Sequence, residues 1–247
     1  MKNTILIFLL FAMARLLTAQ TAEEIIKKSE DLIKGESSHG TFKMTVITPD
    51  FTRELTMESW WVGNKKALIV VKSPPKEAGN KTLKIGNEMW NYLRNTETTI
   101  KVPPSMMLQS WNGSDFTNDD LVRESNLSKD YDQKILAEEE NSGEKFWKIE
   151  LDPKPSAAVV WGKLYYWVRQ KDYTPSDIQY YDEKGNLVRE MVFSNVKKFG
   201  NRRIPSVWTM VNKLKQGHST TFKIVSVKFD IEISDSIFSF EELEKGN

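Results

Sequence analysis

Polar and apolar residues alternate with a period of two along most of this chain, in segments separated by short turns. In the first such segment Phe42, Met44 and Val46 alternate with Lys43 and Thr45. A period of two places successive side chains on opposite faces of a β-strand. Consecutive strands joined by short turns pair antiparallel, so the sequence predicts one large antiparallel sheet.

Further strand-like segments follow, and turn residues such as Gly86-Asn87 separate them. They are predicted at Glu54–Val62, Ala67–Val71, Thr82–Ile85, Met89–Leu93, Lys145–Leu151, Lys163–Arg169, Asp177–Tyr181, Leu187–Phe193, Val207–Leu214 and Thr220–Glu232. The sequence shows no alternation of strands with helices, which excludes doubly wound folds. The predicted fold class is mainly β with a few helices (α+β), in a single domain.

Helical periodicity is confined to two regions. The first runs from Ala22 to Ile33 and ends before Gly35, and its less polar face consists of Ile25, Ile26, Ser29, Leu32 and Ile33. The second lies between Pro103 and Lys129, where short helices are predicted at Ser105–Trp111 and Asn118–Glu124.

The N-terminus has the pattern of a secretory signal peptide. Lys2 precedes the apolar run Ile5–Ala14, which is too short for a spanning helix because ten residues rise only about 15 Å. The small residue Ala19 follows, although Leu17 stands where a second small residue is usual. We therefore expect residues 1–19 to be removed and residues 20–247 to form the exported domain.

The composition excludes several classes of function. The chain has no cysteine, which removes disulfides, thiol nucleophiles and cysteine-held metal sites. Only His39 and His218 could serve as a histidine base or metal ligand. The net charge of +1 gives no field that would attract nucleic acid.

Ser114, Asp115 and His218 could be arranged as a hydrolase triad, but the chain has no G-x-S-x-G motif around Ser114. We expect Asp115 instead to cap a helix that begins near Asn118, and Phe116 to be buried.

The clustered carboxylates lack the spacing of a calcium loop, and we expect them in solvated turns. They are Asp119/Asp120, Asp182/Glu183 and Glu138–Glu140. The sequence thus offers no catalytic site, no metal site and no cofactor site, and we expect a protein that is not an enzyme.

The strands are rich in methionine and tryptophan, which either fill an ordinary core or line a ligand cavity. The residues concerned are Met44, Met57, Met89, Met106, Met107, Met191 and Met210, with Trp60, Trp61, Trp90, Trp111, Trp161, Trp167 and Trp208. Composition alone leaves both interpretations open.

The stretch from Thr52 to Val122 resembles the LolA-like outer-membrane lipoprotein-sorting proteins of Gram-negative bacteria. Its most specific motif is Gly113-Ser114-Asp115-Phe116 followed by Asp119-Asp120-Leu121, with Asn112 where an apolar residue is frequent. The other similar segments are Thr52–Met57, Ala67–Val71, Pro75–Gly79, Lys81–Leu83, Met89–Leu93, Gly185–Phe193, Ile204-Pro205, the strand from Thr220 and Asp235–Phe238.

The resemblance implies a single curved antiparallel sheet that forms an unclosed β-barrel, with helices covering its concave face. Between sheet and helices such proteins hold acyl chains or other apolar cargo. It also implies a periplasmic location, a membrane transporter as partner and a monomer without a cofactor. The leading hypothesis is therefore a periplasmic carrier or chaperone for lipidated or lipid cargo in outer-membrane lipoprotein sorting.

The alternative hypothesis is a periplasmic sensor or assembly factor that uses the same fold to bind a protein partner. A carrier requires an apolar cavity, whereas a partner-binding protein requires an exposed apolar patch.

Alternation nominates the residues that would line such a cavity, although it does not say which face of each strand is concave. From the strands we select Phe42, Met44, Val46, Leu55, Met57 and Trp61. From the helical insertion, as a lid, we select Met106, Met107, Leu108 and Trp111.

Overall fold

The computed structural model describes residues 20–123, 127–157 and 159–246. The predicted signal peptide, residues 1–19, lies outside the described residues. No helix in the described ranges combines the length and the apolar character that crossing a bilayer would need.

In the described residues thirteen antiparallel strands form one sheet, which confirms the predicted large antiparallel sheet with few helices. The strands are β1 Ser37–Ile47, β2 Thr52–Val62, β3 Lys66–Ser73, β4 Lys81–Ile85, β5 Glu88–Leu93, β6 Thr98–Lys101, β7 Tyr131–Asn141, β8 Glu144–Pro153, β9 Lys163–Arg169, β10 Pro175–Tyr181, β11 Leu187–Phe199, β12 Arg202–Asn212 and β13 Ser219–Phe229. Strands that follow one another in the chain pair as hairpins, except β6 and β7, and β1 also pairs with β13.

The strand order is β6-β5-β4-β3-β2-β1-β13-β12-β11-β10-β9-β8-β7, so β6 and β7 are the two ends and the sheet is not closed. Gly40 is required where β1 meets β13, because a Cβ there would lie 2.4 Å from the carbonyl oxygen of Ser226. A register shift follows directly, between Thr41 and Phe42. The pairing of β1 with β13 lies near the middle of the sheet.

Helix α1, Ala22–Lys34, matches the first predicted helix. Thr21 caps its N-terminus in a capping box with Glu24, and Gly35 ends it with a positive φ of 66°. Ile25 and Ile26 are fully buried in a cluster that includes Tyr166 and Met210 of the sheet. The apolar face of α1 therefore packs on the sheet.

The insertion between β6 and β7 differs from the prediction. Short 3-10 helices at Pro104–Met106 and Trp111–Gly113 replace the single helix expected at Ser105–Trp111. Helix α2, Asn118–Arg123, confirms the second prediction, and α3, Leu127–Asp130, was not predicted. Asn112 has a positive φ of 49°, which is incompatible with a continuous helix through this segment.

The sequence also failed to predict β6 and β7. Both are end strands, so they lack the clear apolar alternation of the interior strands. Glu138–Glu140 are exposed as expected, but they lie in β7 rather than in a turn.

Strand β3 is buried along five consecutive residues because both of its faces are covered. Ile69 and Val71 join the cluster on one face, with Trp111. Leu68 and Val70 join a cluster on the other face. That second cluster includes residues of the C-terminal 3-10 helix Asp235–Phe238 and of α4, Phe240–Glu244.

Candidate functional site

A cavity of about 230 Å³ lies on one face of the sheet, between two packed apolar clusters. This volume is more than ten times the roughly 10–15 Å³ that one water molecule needs. One cluster packs α1 against β8–β12, and the other packs the insertion against β1–β3 and β5. Phe222 of β13 contacts both clusters, so the cavity lies over the middle of the sheet.

The lining is mainly apolar and comes from the sheet, from α1 and from the insertion. We call the sheet face that carries Phe42, Met57, Ile178, Phe193 and Phe222 the cavity face. The lining residues are Ile33, Lys34, Ser38, Phe42, Met57, Ser59, Trp61, Gly63, Asn64, Ile69, Trp111, Phe116, Asp120, Leu121, Leu127, Tyr166, Ile178, Met191, Phe193, Trp208, Phe222, Ile224, Val227 and Phe229.

Four of the ten selected residues line this cavity, namely Phe42, Met57, Trp61 and Trp111. The residues selected from β1 and β2 lie on the cavity face of both strands, a placement that the alternation alone did not specify. Met44, Val46, Leu55 and Met107 are buried in the adjacent cluster and are absent from the lining.

Met106 and Leu108 lie elsewhere, with 39% and 58% of their surface exposed. A tight 3-10 turn at Pro104–Met106 replaces the predicted helix, and the chain then turns again before Trp111. Consecutive side chains in this segment consequently point in different directions, and these two do not form a lid.

Sequence reasoning missed the part of the lining that comes from β9–β13, which is nine of the twenty-four lining residues. These residues are Tyr166, Ile178, Met191, Phe193, Trp208, Phe222, Ile224, Val227 and Phe229. A partial signal was present, because Ile178 lies between the polar residues Asp177 and Gln179, and Glu190 and Ser194 flank the segment that holds Met191 and Phe193. The sequence pattern does not show that these strands lie on the same side of the sheet as β1. That follows from the pairing of β1 with β13.

The Gly113–Phe116 motif anchors the insertion to the sheet. Phe116 is buried as predicted, and its ring packs edge-on against Phe222 at 4.8 Å between centroids. Asp115 does not cap α2, which corrects our expectation. Its carboxylate accepts hydrogen bonds from Thr220 at 2.8 Å and Asn212 at 3.3 Å.

The cap of α2 is formed one residue after Phe116. The amide of Asp120 donates to Thr117 Oγ1 at 3.2 Å, and the amide of Thr117 donates to Asp120 Oδ2 at 2.6 Å. This reciprocal pair is a capping box, which satisfies two backbone donors at the start of the helix.

Asp119 and Asp120 are buried, so the prediction that they lie in a solvated turn is wrong. Arg189 of β11 donates from both terminal nitrogens to the two carboxylate oxygens of Asp120. Its guanidinium carbon lies 4.3 Å from the ring centre of Trp161 and 4.4 Å from that of Tyr180. Ion pairing and the two aromatic faces explain how the charges of Asp120 and Arg189 are tolerated in the interior.

The residues of the hypothetical triad serve other contacts. Ser114 Oγ donates to the carbonyl of Trp111 at 2.7 Å, and Asp115 contacts β12 and β13. His218 lies in the turn before β13, where its amide donates to the carbonyl of Lys215. In the described part of the chain, no group of three or more histidine, aspartate or glutamate residues is placed to hold a metal ion.

The polar lining residues are concentrated near the turn between β2 and β3. Gly63 and Asn64 belong to this turn, and Lys34 reaches it from the end of α1. Behind Asn64, the Lys84 ammonium donates to the Asn64 carbonyl oxygen at 2.6 Å. Burial, together with the charge of Lys34, lowers the pKa of Lys84 to about 8.

Three solved structures share this fold over nearly their whole length. A DUF1329 family protein from Desulfovibrio piger is 20% identical, with a TM-score of 0.82, covering 90% of this chain and 97% of its own. A putative outer membrane lipoprotein-sorting protein domain from Vibrio parahaemolyticus is 20% identical, with a TM-score of 0.79 and coverages of 91% and 98%. A LolA superfamily protein from Nitrosomonas europaea is 21% identical, with a TM-score of 0.76 and coverages of 91% and 100%.

No curated protein sequence matches the chain. Residues 63–245 match the model of a family described as uncharacterized protein-like. That match spans β3 to α4 and includes the whole insertion and most of the cavity lining. The chain therefore belongs to this family of uncharacterized proteins, and its unclosed antiparallel sheet has the LolA-like fold of the outer-membrane lipoprotein-sorting proteins.

Proposed function

We propose that this protein is a periplasmic carrier or chaperone that binds the acyl chain of a lipidated protein or of a lipid. The observation that carries the proposal is the apolar cavity between the sheet and the insertion. Burying an acyl chain stabilises the complex by about 0.8 kcal/mol per methylene, or roughly 11 kcal/mol for about fourteen of them. Lost freedom of cargo and protein offsets much of this gain, which keeps release possible.

The fold supports the same proposal. One structure with this fold is described as an outer membrane lipoprotein-sorting protein domain, and another as a LolA superfamily protein. In our proposal α1 and the insertion cover the concave face of the sheet, and they move apart to admit cargo and to release it. A membrane transporter would deliver or receive that cargo.

The alternative, a sensor or assembly factor for a protein partner, is less well supported. It predicts a filled interior and a wide apolar patch on the surface. The cavity over Phe222 favours the carrier. Our proposal assigns binding to the cavity and no catalytic step.

Two adjacent residues of β13 provide a matched test. Ile224 lines the cavity, whereas Val225 points to the other face and is 51% exposed. We expect the wild-type protein to bind the neutral fluorescent probe N-phenylnaphthylamine, and Ile224→Trp to weaken that binding by about tenfold or more by filling the space. Val225→Trp should bind as the wild type does. Absence of probe binding, or equal effects of the two variants, would contradict the proposal.

A further inference from the structure

Lys84 lies on the cavity face of β4, although its place in the sequence is typical of an exposed lysine. Ser38 pairs with Trp61, Trp61 with Ala67, and Ala67 with Lys84, across four adjacent strands. Residues that pair directly across strands share a face of the sheet. Because Ser38 and Trp61 line the cavity, the Lys84 side chain extends on the same side.

The ammonium group of Lys84 is buried with little to neutralise it. The residue is 1% exposed, and its Nζ donates to the Asn64 carbonyl oxygen at 2.6 Å. An ammonium has three donors, and within the described residues this carbonyl is its acceptor, with no carboxylate at ion-pair distance. Since Asn64 itself lines the cavity, the charge lies directly behind the cavity wall.

A second cation faces the same end of the cavity. Lys34 lines the cavity and is also 31% exposed in its side chain, so the cavity reaches solvent beside it. Glu30 lies 3.6 Å from Lys34, and its carboxylate also accepts a backbone hydrogen bond. Asp120, the acid among the lining residues, is paired with Arg189. Counted over the described residues, Lys34 and Lys84 against Glu30 therefore leave this end of the cavity with excess positive charge.

We infer that the natural ligand is an amphiphile with one anionic head, a carboxylate or a phosphate, which binds beside Lys34 and Asn64, where the charge of Lys84 lies directly behind the wall. The acyl chain then extends along Met57, Phe222 and Ile178 on the apolar part of the wall. This inference rests on the carrier function proposed above and specifies the chemical class of its cargo.

A purely structural role for Lys84 explains the observations less well. Holding the turn between β2 and β3 in place through the Asn64 carbonyl needs one hydrogen bond. A neutral donor could supply that bond without the burial of a charge. Burial and the charge of Lys34 both disfavour the charged form of Lys84 and lower its pKa. An anionic head beside Asn64 would supply a counter-charge to both lysines.

The inference is tested by displacing N-phenylnaphthylamine from the full-length exported chain near neutral pH. The competitors are palmitate, hexadecyl phosphate and hexadecanol, which share one alkyl length and differ in the head. We expect at least one anion to compete at a concentration about tenfold lower than hexadecanol, since hydrogen bonds to charged groups are worth that much. Whichever of the two anions displaces the probe at the lower concentration shows whether the site prefers a carboxylate head or a phosphate head.

Lys84→Met should remove the preference for the anion and leave the affinity for hexadecanol unchanged, whereas Lys84→Arg should retain it. Lys81→Met is the matched control, because Lys81 lies on the same strand and donates to Glu242 and Lys245 on the other side. Equal competition by all three compounds in the wild type would overturn the inference of an anionic head but would leave the proposed carrier function standing. Failure of the probe and of every competitor to bind would overturn the carrier as well. An anion preference that survives Lys84→Met would overturn the placement of the head.

Discussion

Asp120 of the insertion and Arg189 of β11 form a buried two-point ion pair that ties the insertion to the sheet beside the cavity. Both side chains are less than 5% exposed. We expect Asp120→Asn to lower the free energy of unfolding by about 3 kcal/mol, because it removes one member of a buried, two-point ion pair. Urea unfolding measures this change.

The matched control for this prediction is Glu88→Gln, which breaks the exposed pair with Lys101. Exposed pairs contribute roughly 0–1 kcal/mol, so we expect little change. Equal losses in Asp120→Asn and Glu88→Gln would show that the buried pair is as well solvated as the exposed one.

Met57 and Met44 are both buried on the cavity face, but only Met57 lines the cavity. A carboxylate introduced at position 57 can stay hydrated in the cavity. One introduced at position 44 is buried in a packed cluster without water, at a cost of several kcal/mol. We therefore expect Met57→Asp to lose affinity for the fluorescent probe while its melting temperature stays close to that of the wild type. Met44→Asp should unfold. Melting curves and probe titrations are the two readouts. Collapse of Met57→Asp would place Met57 in the core instead.

Lys84 predicts an unusual dependence of stability on pH. A lysine in the unfolded chain titrates near 10.4, and burial lowers the pKa of Lys84 in the folded chain to about 8. Between these values the unfolded chain binds more protons, so stability rises with pH, by at most about 3 kcal/mol. Lys84→Met should therefore be about 1–3 kcal/mol more stable than the wild type at neutral pH, and its advantage should disappear towards about pH 10.

Denaturant unfolding across this pH range checks the prediction, with Lys65→Met, at an exposed lysine of the neighbouring turn, as the control. A variant Lys84→Met that is less stable than the wild type at neutral pH would show that the ammonium is not penalised by burial.

The predicted signal peptide leads to a separate prediction. We expect the mature protein to begin at Gln20, because Ala19 is the small residue that follows the apolar run. Intact-mass measurement of the protein from the periplasm checks this, and a mass that includes residues 1–19 would contradict it.

The sequence predicted the interior strands well because burial of one face imposes alternation on them. It missed β7 because an end strand with one solvated edge is polar, as Glu138–Glu140 are, and because a register shift between Ile135 and Ala137 interrupts its alternation. It also misplaced Asp115, since a short acidic side chain before a helix resembles a cap, while the actual cap is Thr117.

For the cavity, alternation grouped the residues of β1 and β2 that share a face but could not supply their partners across the sheet. The pairing of Phe42 with Ile224 depends on contact between segments far apart in the chain. Lys84 was missed for a different reason, because lysine is normally exposed and its burial contradicts the usual pattern. Such contradictions are most frequent at functional sites.

The pairing of β1 with β13 also determines when the cavity can exist during folding. Phe42 and its partner Ile224 form part of the cavity wall, yet they come from opposite ends of the described chain. Contacts between such distant segments form slowly, because a long loop must close before they can stabilise the fold. A chain whose hairpins have formed but whose β13 has not yet docked on β1 therefore has strands without a cavity, so the cavity depends on a slow, long-range step of folding.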